Sequence, residues 1–358
     1  MNYAAPWWLP GGNLQTIWPA LCARRVFGGP AQFRRERWVT PDGDFVDLDW
    51  LIHPAPALAT ACTALPPEGA GPAWGGPALR PPAPADGRPL LVLFHGLEGS
   101  SRSHYAEAFA DFAAERGLAY VVPHFRGCSG ELNQGPRAYH SGDYEEIGWI
   151  LERLRQRHRG PVVAVGVSLG GNALMRWAGE SGESAARAVS AVASVCSPLD
   201  LAAGSVAIGR GFNKLVYTTM FLRSMKPKAF AKLKQHPGLF DAARLVLARD
   251  LYQFDDIFTA PLHGFRNADD YYARASAKAH LHRIRIPALA LNALNDPFVP
   301  AASLPRADEA GNFVTLWQPR QGGHVGFTDG PMPGHVRRMP DEVGGWLLQA
   351  LAGAARAG

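Results

Sequence analysis

The sequence predicts an α/β fold with a mainly parallel, doubly wound sheet of about eight strands and helices on both faces. Short apolar runs without polar alternation recur along the chain, as strands buried on both faces of a parallel sheet require. Stretches with helical character separate these runs. The 358 residues are 47% hydrophobic and 19% charged, a balance that allows a full core to be buried.

The predicted elements follow one another in the order that this fold requires. Residues 33–40 and 45–52 are expected to form two antiparallel edge strands, because Pro-Asp-Gly-Asp at 41–44 is a hairpin turn signal. The later strands are the apolar runs at residues 89–95, 118–125, 161–167, 188–196, 287–294 and 312–318. Helices are predicted at residues 103–116, at 143–158, from residue 171 onward and at the C-terminal end.

Two segments interrupt this pattern within what we expect to be a single domain, residues 1–358. Residues 54–88 are rich in Pro, Ala and Gly and show no periodicity, which predicts a surface loop insertion; a domain linker is less favoured because too little precedes it. Residues 199–286 separate two buried strands by far more than a crossover needs, and their composition is helical. We expect an inserted helical cap over the carboxyl edge of the sheet, where open α/β sheets bind ligands.

Charge and cysteine content exclude several classes of protein. The net charge is +5, but most of the arginines are scattered, and the lysine run at residues 226–234 fits a solvated helix face, so no nucleic-acid partner is expected. No apolar run reaches the roughly 18 residues of a transmembrane segment, and residues 1–10 lack a signal-peptide pattern. The four cysteines form no CxxC pair, which favours a cytoplasmic protein without disulfides.

The strongest chemical signal is the sequence GVSLGG at residues 166–171, which fits G-x-S-x-G. It follows a buried strand and precedes a predicted helix, which is the context of a nucleophile elbow. The turn is too sharp for a Cβ atom at the flanking glycines, and the helix presents free N–H groups and its positive dipole end. We therefore predict Ser168 as the nucleophile. The alternative is a glycine-rich turn whose serine only caps the helix.

A serine hydroxyl near neutral pH needs an adjacent base, and the sequence contains twelve histidines. Around a nucleophile elbow the chain order is serine, acid, histidine. His324 follows the last predicted strand in QGGHVGF at residues 321–327, where glycines allow the loop to approach the serine. His324 is therefore the predicted general base.

The acid that orients the histidine is predicted at the end of the preceding strand. Asp296 lies there, directly before Pro297, which ends the strand. A carboxylate at this position would hold the imidazole in the right tautomer. The alternatives are Asp200, after an earlier strand, and Asp255 and Asp256, within the expected cap.

Two backbone N–H groups are predicted to form the oxyanion hole. One belongs to Leu169, which follows the nucleophile. The other is assigned to Leu97, because the turn at Gly96, after the first buried parallel strand, would aim its N–H group at the site.

Three side chains are candidates for a substrate pocket. Arg126 either binds a substrate carboxylate or phosphate or forms a buried ion pair. Met220 and Phe221 lie among apolar residues at near-helical spacing in the cap, and they either line an acyl pocket or pack only within the cap. In the first case Lys226, Lys228 and Lys232 would form the polar rim of that pocket.

The sequence indicates neither a metal nor a cofactor. It contains no His-Glu-x-x-His motif, no P-loop and no G-x-G-x-x-G after a strand.

The chain resembles the AB hydrolase-4 family of the α/β-hydrolase superfamily, which includes the bacterial YheT-like hydrolases. Residues 54–88 depart from the family pattern as an insertion. The resemblance implies the α/β-hydrolase fold, esterase or lipase-like activity, and a catalytic triad of Ser168, Asp296 and His324. The matching segments are GNLQTI at 12–17, HGLEGS at 95–100, HFRGCSG at 124–130, GVSLGGN at 166–172, FDD at 254–256, DYY at 270–272, NDPF at 295–298 and GGHVGF at 322–327.

The predicted function is therefore the hydrolysis of small-molecule carboxylic esters, acyl lipids among them, through an acyl-enzyme on Ser168. Two alternatives use the same fold. An acyltransferase would pass the acyl group to an alcohol or thiol instead of water, and a pseudo-hydrolase would only bind ligands beneath its cap.

Overall fold

Eight strands form one sheet in the computed structural model, which describes residues 2–52 and 87–357. The strands are β1 (Phe33–Val39), β2 (Phe45–Leu51), β3 (Leu90–Phe94), β4 (Ala119–Pro123), β5 (Val162–Val167), β6 (Ala191–Val195), β7 (Ala288–Leu291) and β8 (Val314–Trp317). Their order across the sheet is β1-β2-β4-β3-β5-β6-β7-β8. Strands β3 to β8 are parallel to one another, whereas β2 is antiparallel to both β1 and β4. The predicted mainly parallel α/β fold is confirmed.

Helices connect the strands and cover the sheet. In chain order they are α1 (Gly12–Leu21), α2 (His104–Glu115), α3 (Tyr144–Arg157), α4 (Leu169–Ser181), α5 (Leu201–Ile208), α6 (Gly211–Asn213), α7 (Thr219–Gln235), α8 (Ala242–Leu247), α9 (Leu251–Phe254), α10 (Ala260–Leu262), α11 (Ala268–Ala275), α12 (Ala307–Ala310) and α13 (Arg338–Ala357). Turns of 3₁₀ helix lie at Gly182–Arg187, Lys278–Arg283 and Ala301–Ser303, and π-helical turns at Lys214–Thr218 and Asp255–Thr259.

Helix α1 was not predicted from the sequence. Its ten residues include Pro19, its first turn has no acidic residue, and its N-terminal cap, Gly11, makes no side-chain hydrogen bond. The usual start signals of a helix are therefore missing, and only tertiary contacts reveal why the segment is helical.

The apolar runs of the central strands are explained by a core on each face of the sheet. Along β3, Leu90, Val92 and Phe94 belong to one buried cluster together with residues of α3 and α4. Leu91 and Leu93 point to the other face, where they join residues of α2 and α13. Successive side chains of a strand alternate between faces, so a strand covered on both sides is apolar throughout.

The interval between β6 and β7 contains helices α5 to α11 and forms apolar clusters of its own. One cluster includes Leu222, Leu245, Phe254 and Phe258. The predicted solvated face of α7 needs a correction at Lys232, which is only 1% exposed. Its ammonium group donates to the carbonyl oxygens of Asn133 and Gly135, both at 2.6 Å, so these carbonyl groups replace water as its partners.

Most of the predicted 54–88 insertion, residues 54–86, lies outside the described residues, so the loop assignment stays a prediction. The described cysteines Cys22, Cys128 and Cys196 are free thiols. In the part of the chain that the structure describes, no helix combines the length and apolar character needed to cross a membrane.

Arg126, one of the candidate pocket residues, connects the edge hairpin to the parallel sheet. Its guanidinium group donates to Glu146 on α3 at 2.6 Å and to Asp42 and Asp44, between β1 and β2, at 2.7 and 3.2 Å. The side chains of Arg126, Asp44 and Glu146 are at most 3% exposed. Of the two roles considered for Arg126, the structure therefore contains the buried ion pair, and burial together with nearby Asp143 raises the pKa of Glu146 to about 7.

Replacing Arg126 by methionine should destabilise the fold by roughly 3–5 kcal/mol, because buried carboxylates would lose their counter-ion. The matched change Arg306→Met removes an arginine from an exposed pair with Asp308 and should have little effect. Urea unfolding of both variants near neutral pH measures the difference. Similar unfolding free energies for the two would contradict the assigned role of Arg126.

The destabilisation should also depend on pH. Although burial of Asp42 acts in the opposite direction, hydrogen bonding to Arg126 lowers the pKa of its carboxyl group from 3.8 to about 2. This contribution to stability is complete above the unfolded pKa and is lost as the pH falls through the folded pKa. The difference between wild type and Arg126→Met should therefore narrow as the pH is lowered toward 2.

Candidate active site

Ser168 lies between β5 and α4 at the carboxyl edge of the sheet. Its backbone φ is 53°, in the left-handed region, and its N–H group donates to the Val195 carbonyl at 2.8 Å. Helix α4 begins at Leu169, two residues earlier than predicted, so the serine directly precedes the first helical residue. A Cβ atom on Gly170 would lie 2.4 Å from the Phe94 carbonyl oxygen, which explains the glycine at this position. The turn thus holds Ser168 in a strained backbone conformation.

The predicted base and acid lie beside this serine. Nε2 of His324, after β8, is 3.0 Å from Oγ of Ser168. Nδ1 of the same ring is 2.8 Å from Oδ2 of Asp296, after β7. Asp296 and His324 are 6% and 8% exposed, so the two hydrogen bonds are largely shielded from water.

Asp296 is held in place by its own loop. Its Oδ1 atom accepts hydrogen bonds from the backbone N–H groups of Phe298 at 2.7 Å and Val299 at 3.3 Å, which leaves Oδ2 for the histidine. The Phe298 ring packs against the His324 ring, with 4.2 Å between their centroids. The carboxylate and the imidazole are therefore restrained on both sides.

The alternative acids have other partners. Asp200 caps helix α5 by accepting from the Ala203 N–H group at 3.1 Å, and Asp256 pairs with Arg244 at 3.2 Å. Asp255 accepts hydrogen bonds from hydroxyl groups of the helical insertion, which is the segment α5 to α11 between β6 and β7. The acid hydrogen-bonded to His324 is Asp296.

The loop after β3 passes directly beside the serine. A Cβ atom on Gly96 would lie 3.2 Å from that of Ser168. Among the described residues the backbone N–H groups of Leu97 and Leu169 donate to no protein acceptor, as donors reserved for a substrate oxygen would.

Glu98, which follows Leu97, has a φ of 56° and is fixed at both carboxylate oxygens. One oxygen accepts from Tyr139 at 2.9 Å, and the other pairs with Lys228 of α7 at 2.9 Å.

Helix α1 contributes two residues that the sequence reasoning missed as part of the site. The Gln15 side chain is 1% exposed, and its Oε1 atom accepts from the Asn295 side chain and the Gly322 N–H group, both at 2.9 Å. The Thr16 hydroxyl accepts from the backbone N–H group of His324, also at 2.9 Å. Gln15 thus connects the loop of the acid to the loop of the histidine, and Thr16 connects α1 to the histidine loop. Both residues belong to the segment GNLQTI, one of the segments that carry the family resemblance.

The close approach of α1 to the two loops also explains glycines in the segments GNLQTI (12–17) and GGHVGF (322–327). A Cβ atom on Gly12 would lie 1.9 Å from the Asn295 carbonyl oxygen, and one on Gly326 would lie 1.9 Å from that of Gln15. Gly323 has a φ of 60°, and its Cβ atom would lie 2.7 Å from the Gln15 backbone. The backbones are therefore in direct contact, with no room for side chains between them.

Cys196 is the third member of the one described group of side chains with metal-ligand spacing, together with Asp296 and His324. Burial raises the pKa of its thiol well above the ordinary value, and nearby Asp296 acts in the same direction, so the sulfur stays protonated. The other two ligand atoms are hydrogen-bonded to each other. A protonated thiol is a poor metal ligand, so this donor set does not favour a metal.

A cavity opens over the site, and both Ser168 and His324 line it. Phe221 also lines this cavity, together with Ile208, Met225 and Phe258 of the helical insertion. The pocket assignment of Met220 was wrong, because its side chain is 52% exposed and lies outside the cavity wall. The helical spacing of the apolar residues alone does not tell which side of α7 faces the sheet.

The basic candidates for the pocket are also separated by the structure. Arg126, Lys228 and Lys232 reach the cavity wall, whereas Lys226 does not and instead donates to carbonyl groups of residues 246 and 248. Arg126 and Lys232 are engaged by protein groups, and Lys228 pairs with Glu98.

Comparison with known proteins agrees with this architecture. A sequence model described as the α/β hydrolase fold matches residues 89–331. The chain is 37% identical over 342 residues to "Putative esterase YheT" of Escherichia coli (strain K12), which covers 95% of this chain and 91% of that protein. The chain belongs to the α/β-hydrolase family and is YheT-like. The resemblance inferred from the motifs is thereby confirmed.

Two further proteins extend the comparison of this α/β hydrolase. It is 29% identical over 328 residues to "Phospholipase ABHD3" of Mus musculus, which covers 90% of this chain and 72% of that protein. The structure of an esterase from Pyrococcus furiosus superposes with a TM-score of 0.50 at 12% identity, over 93% of this chain and 98% of that one. The second likeness supports the fold alone.

In this α/β hydrolase, Gly323→Ala should destabilise the fold by about 1–3 kcal/mol, because the new methyl group would meet the Gln15 backbone at a left-handed φ. Gly345→Ala is the matched control. Gly345 lies within α13 with open space around it, so alanine there should stabilise by about 0.5–1 kcal/mol. Unfolding free energies from urea titration test both changes. Stabilisation by both would mean that α1 and the histidine loop are not in contact.

Proposed function

We propose that this α/β hydrolase cleaves carboxylic esters of small molecules, acyl lipids among them, with Ser168 as the nucleophile. The observation that carries the proposal is the hydrogen-bonded series Asp296–His324–Ser168 at the wall of a largely apolar cavity. An adjacent histidine, itself oriented by a carboxylate, is what a serine needs to attack a carbonyl carbon. The names of two relatives, an esterase and a phospholipase, support the same chemistry.

The reaction proceeds in two halves. Oγ of Ser168 bonds to the ester carbonyl carbon while its proton passes to Nε2 of His324, and Asp296 stabilises the resulting imidazolium. The bond to the leaving alcohol then breaks, and His324 gives its proton to the alcohol oxygen. Water attacks the acyl-enzyme in the same way, its proton passes through His324 to Oγ, and the carboxylic acid leaves. No cofactor enters either half.

The developing oxyanion is stabilised by the N–H groups of Leu97 and Leu169. This role is supported by the contact of the Gly96 turn with the serine and by the absence of protein acceptors for both groups in the described chain. The pair between Glu98 and Lys228 joins the oxyanion loop to α7. The helical insertion therefore helps to fix the loop that carries one of the two donors.

Residues 199–286 act as a cap over the site in this proposal. Their side chains supply much of the apolar cavity wall, including Phe221, Met225 and Phe258. A wall of this kind suits the acyl chain of the substrate, since burying each methylene contributes about 0.8 kcal/mol.

Ser168→Ala should lower ester turnover by about three orders of magnitude or more and leave the protein folded, because the nucleophilic oxygen is lost while the β-carbon remains. The control is Ser184→Ala, an exposed serine outside the site, which should keep full activity. Initial rates on nitrophenyl esters and labelling by a fluorophosphonate probe give the readout. Retention of a tenth of the activity by Ser168→Ala would refute the proposed nucleophile.

Asp296→Asn should reduce kcat by about three to four orders of magnitude, because the amide no longer holds the imidazole in the required tautomer. Asp200→Asn should change little, since asparagine caps a helix as well as aspartate does. Single-turnover and steady-state kinetics on one nitrophenyl ester compare the two. The opposite ranking would move the acid to the loop after β6.

The apolar wall predicts a preference for medium acyl chains over acetyl. On nitrophenyl esters of graded length, kcat/KM should rise a few-fold per added carbon, about 0.8 kcal/mol each, until the cavity is filled. Phe221→Ser should flatten this profile, whereas Met220→Ser, on the exposed side of α7, should not. A wild-type profile that falls from acetyl onward would exclude an acyl site in this cavity.

A further inference from the structure

The cavity has a second polar centre that the proposed reaction does not use. Asp255, Thr259, Tyr272 and Ser205 all line the same cavity as Ser168. The Asp255 carboxylate accepts hydrogen bonds from the Thr259 hydroxyl at 2.6 Å and from the Tyr272 hydroxyl at 2.8 Å. The Tyr272 oxygen is also 3.1 Å from Oγ of Ser205. The sequence segments FDD and DYY, which the catalytic chemistry leaves unexplained, therefore meet at one point of the cavity wall.

The charge of Asp255 distinguishes this centre from the other acids of the cavity region. Glu98 is paired with Lys228, and Glu146 is paired with Arg126. No basic side chain of the described residues pairs with Asp255, whose partners are neutral hydroxyl groups. Burial raises its pKa to about 6, while the hydrogen bonds that it accepts from Thr259 and Tyr272 favour the ionised form. Asp255 is partly buried in the cavity wall, where an anion without a counter-ion is costly, and a bound cation would compensate its charge.

The surroundings of the carboxylate also favour a cation. Phe254, Phe258, Tyr271 and Tyr272 line the cavity together with Asp255. Aromatic faces attract amine and quaternary ammonium groups through their negative quadrupole, most strongly where water is excluded. Asp255 and Thr259 are moreover the two ends of a π-helical turn, a distortion that often marks functional sites.

We propose that Asp255, Tyr272 and the adjacent aromatic side chains bind a cationic nitrogen of the ester substrate while Ser168 attacks its carbonyl group. The proposal rests on the proposed esterase function and names a substrate class for the same cavity, esters that carry an amine or quaternary ammonium group. Asp255 contributes charge to substrate binding and takes no part in bond breaking.

The test compares a trimethylammonioethyl ester with its tert-butylethyl isostere, which has the same shape and no charge, and an aminoalkyl ester with the matching alkyl ester. Wild type should show a kcat/KM at least about tenfold higher for each cationic ester, which corresponds to about 1.4 kcal/mol. Asp255→Asn should bring each ratio close to one. Asp256→Asn, which changes the neighbouring acid outside the cavity wall, should leave the ratios unchanged.

A binding measurement separates this inference from the proposed function. Non-hydrolysable ether analogues of the quaternary pair are titrated calorimetrically into Ser168→Ala and into Ser168→Ala/Asp255→Asn. Tighter binding of the cationic ether, lost with Asp255→Asn, supports the site whether or not the wild type is an esterase. Equal binding of both ethers, or an equal loss for both on changing Asp255, overturns it. Turnover of neutral esters without a charge preference would retain the esterase proposal and reject only the cation site.

Discussion

The contact between helix α1 and two loops at the opposite end of the chain is the constraint on which the geometry of the site depends. Gln15 is almost completely buried and accepts hydrogen bonds from both loops, while Thr16 accepts from the histidine's own N–H group. The acid and the histidine belong to separate loops. A third segment must therefore hold the two loops together for Oδ2 of Asp296 to stay 2.8 Å from Nδ1 of His324. The Gln15 amide oxygen is hydrogen-bonded to both loops and holds them in this position. A small displacement of Gln15 would therefore change the distance between the acid and the histidine.

The parallel sheet supplies the other half of the arrangement. Ser168, Asp296 and His324 follow β5, β7 and β8, whose carboxyl ends lie at one edge. The three loops that carry these residues therefore begin close to one another. The left-handed backbone of Ser168 is stabilised by the start of α4 and by glycines that allow neighbouring backbones to touch. Backbone contact at both ends of the site therefore accounts for most of its glycines.

Acidic side chains near the cavity have three different environments, and their partners determine what each can do. Asp44 and Glu146 are neutralised by the buried Arg126, which makes them part of the framework between hairpin and sheet. Glu98 pairs with Lys228 and so connects α7 to the loop after β3. Among the described residues, the partners of the Asp255 carboxylate are hydroxyl groups. The local motif around each acid gives no hint of this distinction, because the basic partners of Asp44, Glu146 and Glu98 come from other segments of the chain.

The sequence by itself determined the sheet, the nucleophile turn and the order of the three candidate catalytic residues. These are local properties: an apolar run specifies a buried strand, and glycines around a serine after such a run specify a sharp turn. Only the tertiary structure decided that Met220 faces solvent while Phe221 faces the cavity, and that Lys232 is buried. It also decided the role of α1, whose own sequence carries no helix start signal. Which face of a helix is covered, and which distant group satisfies a polar side chain, depends on packing between segments far apart in the chain, and no local pattern contains that information.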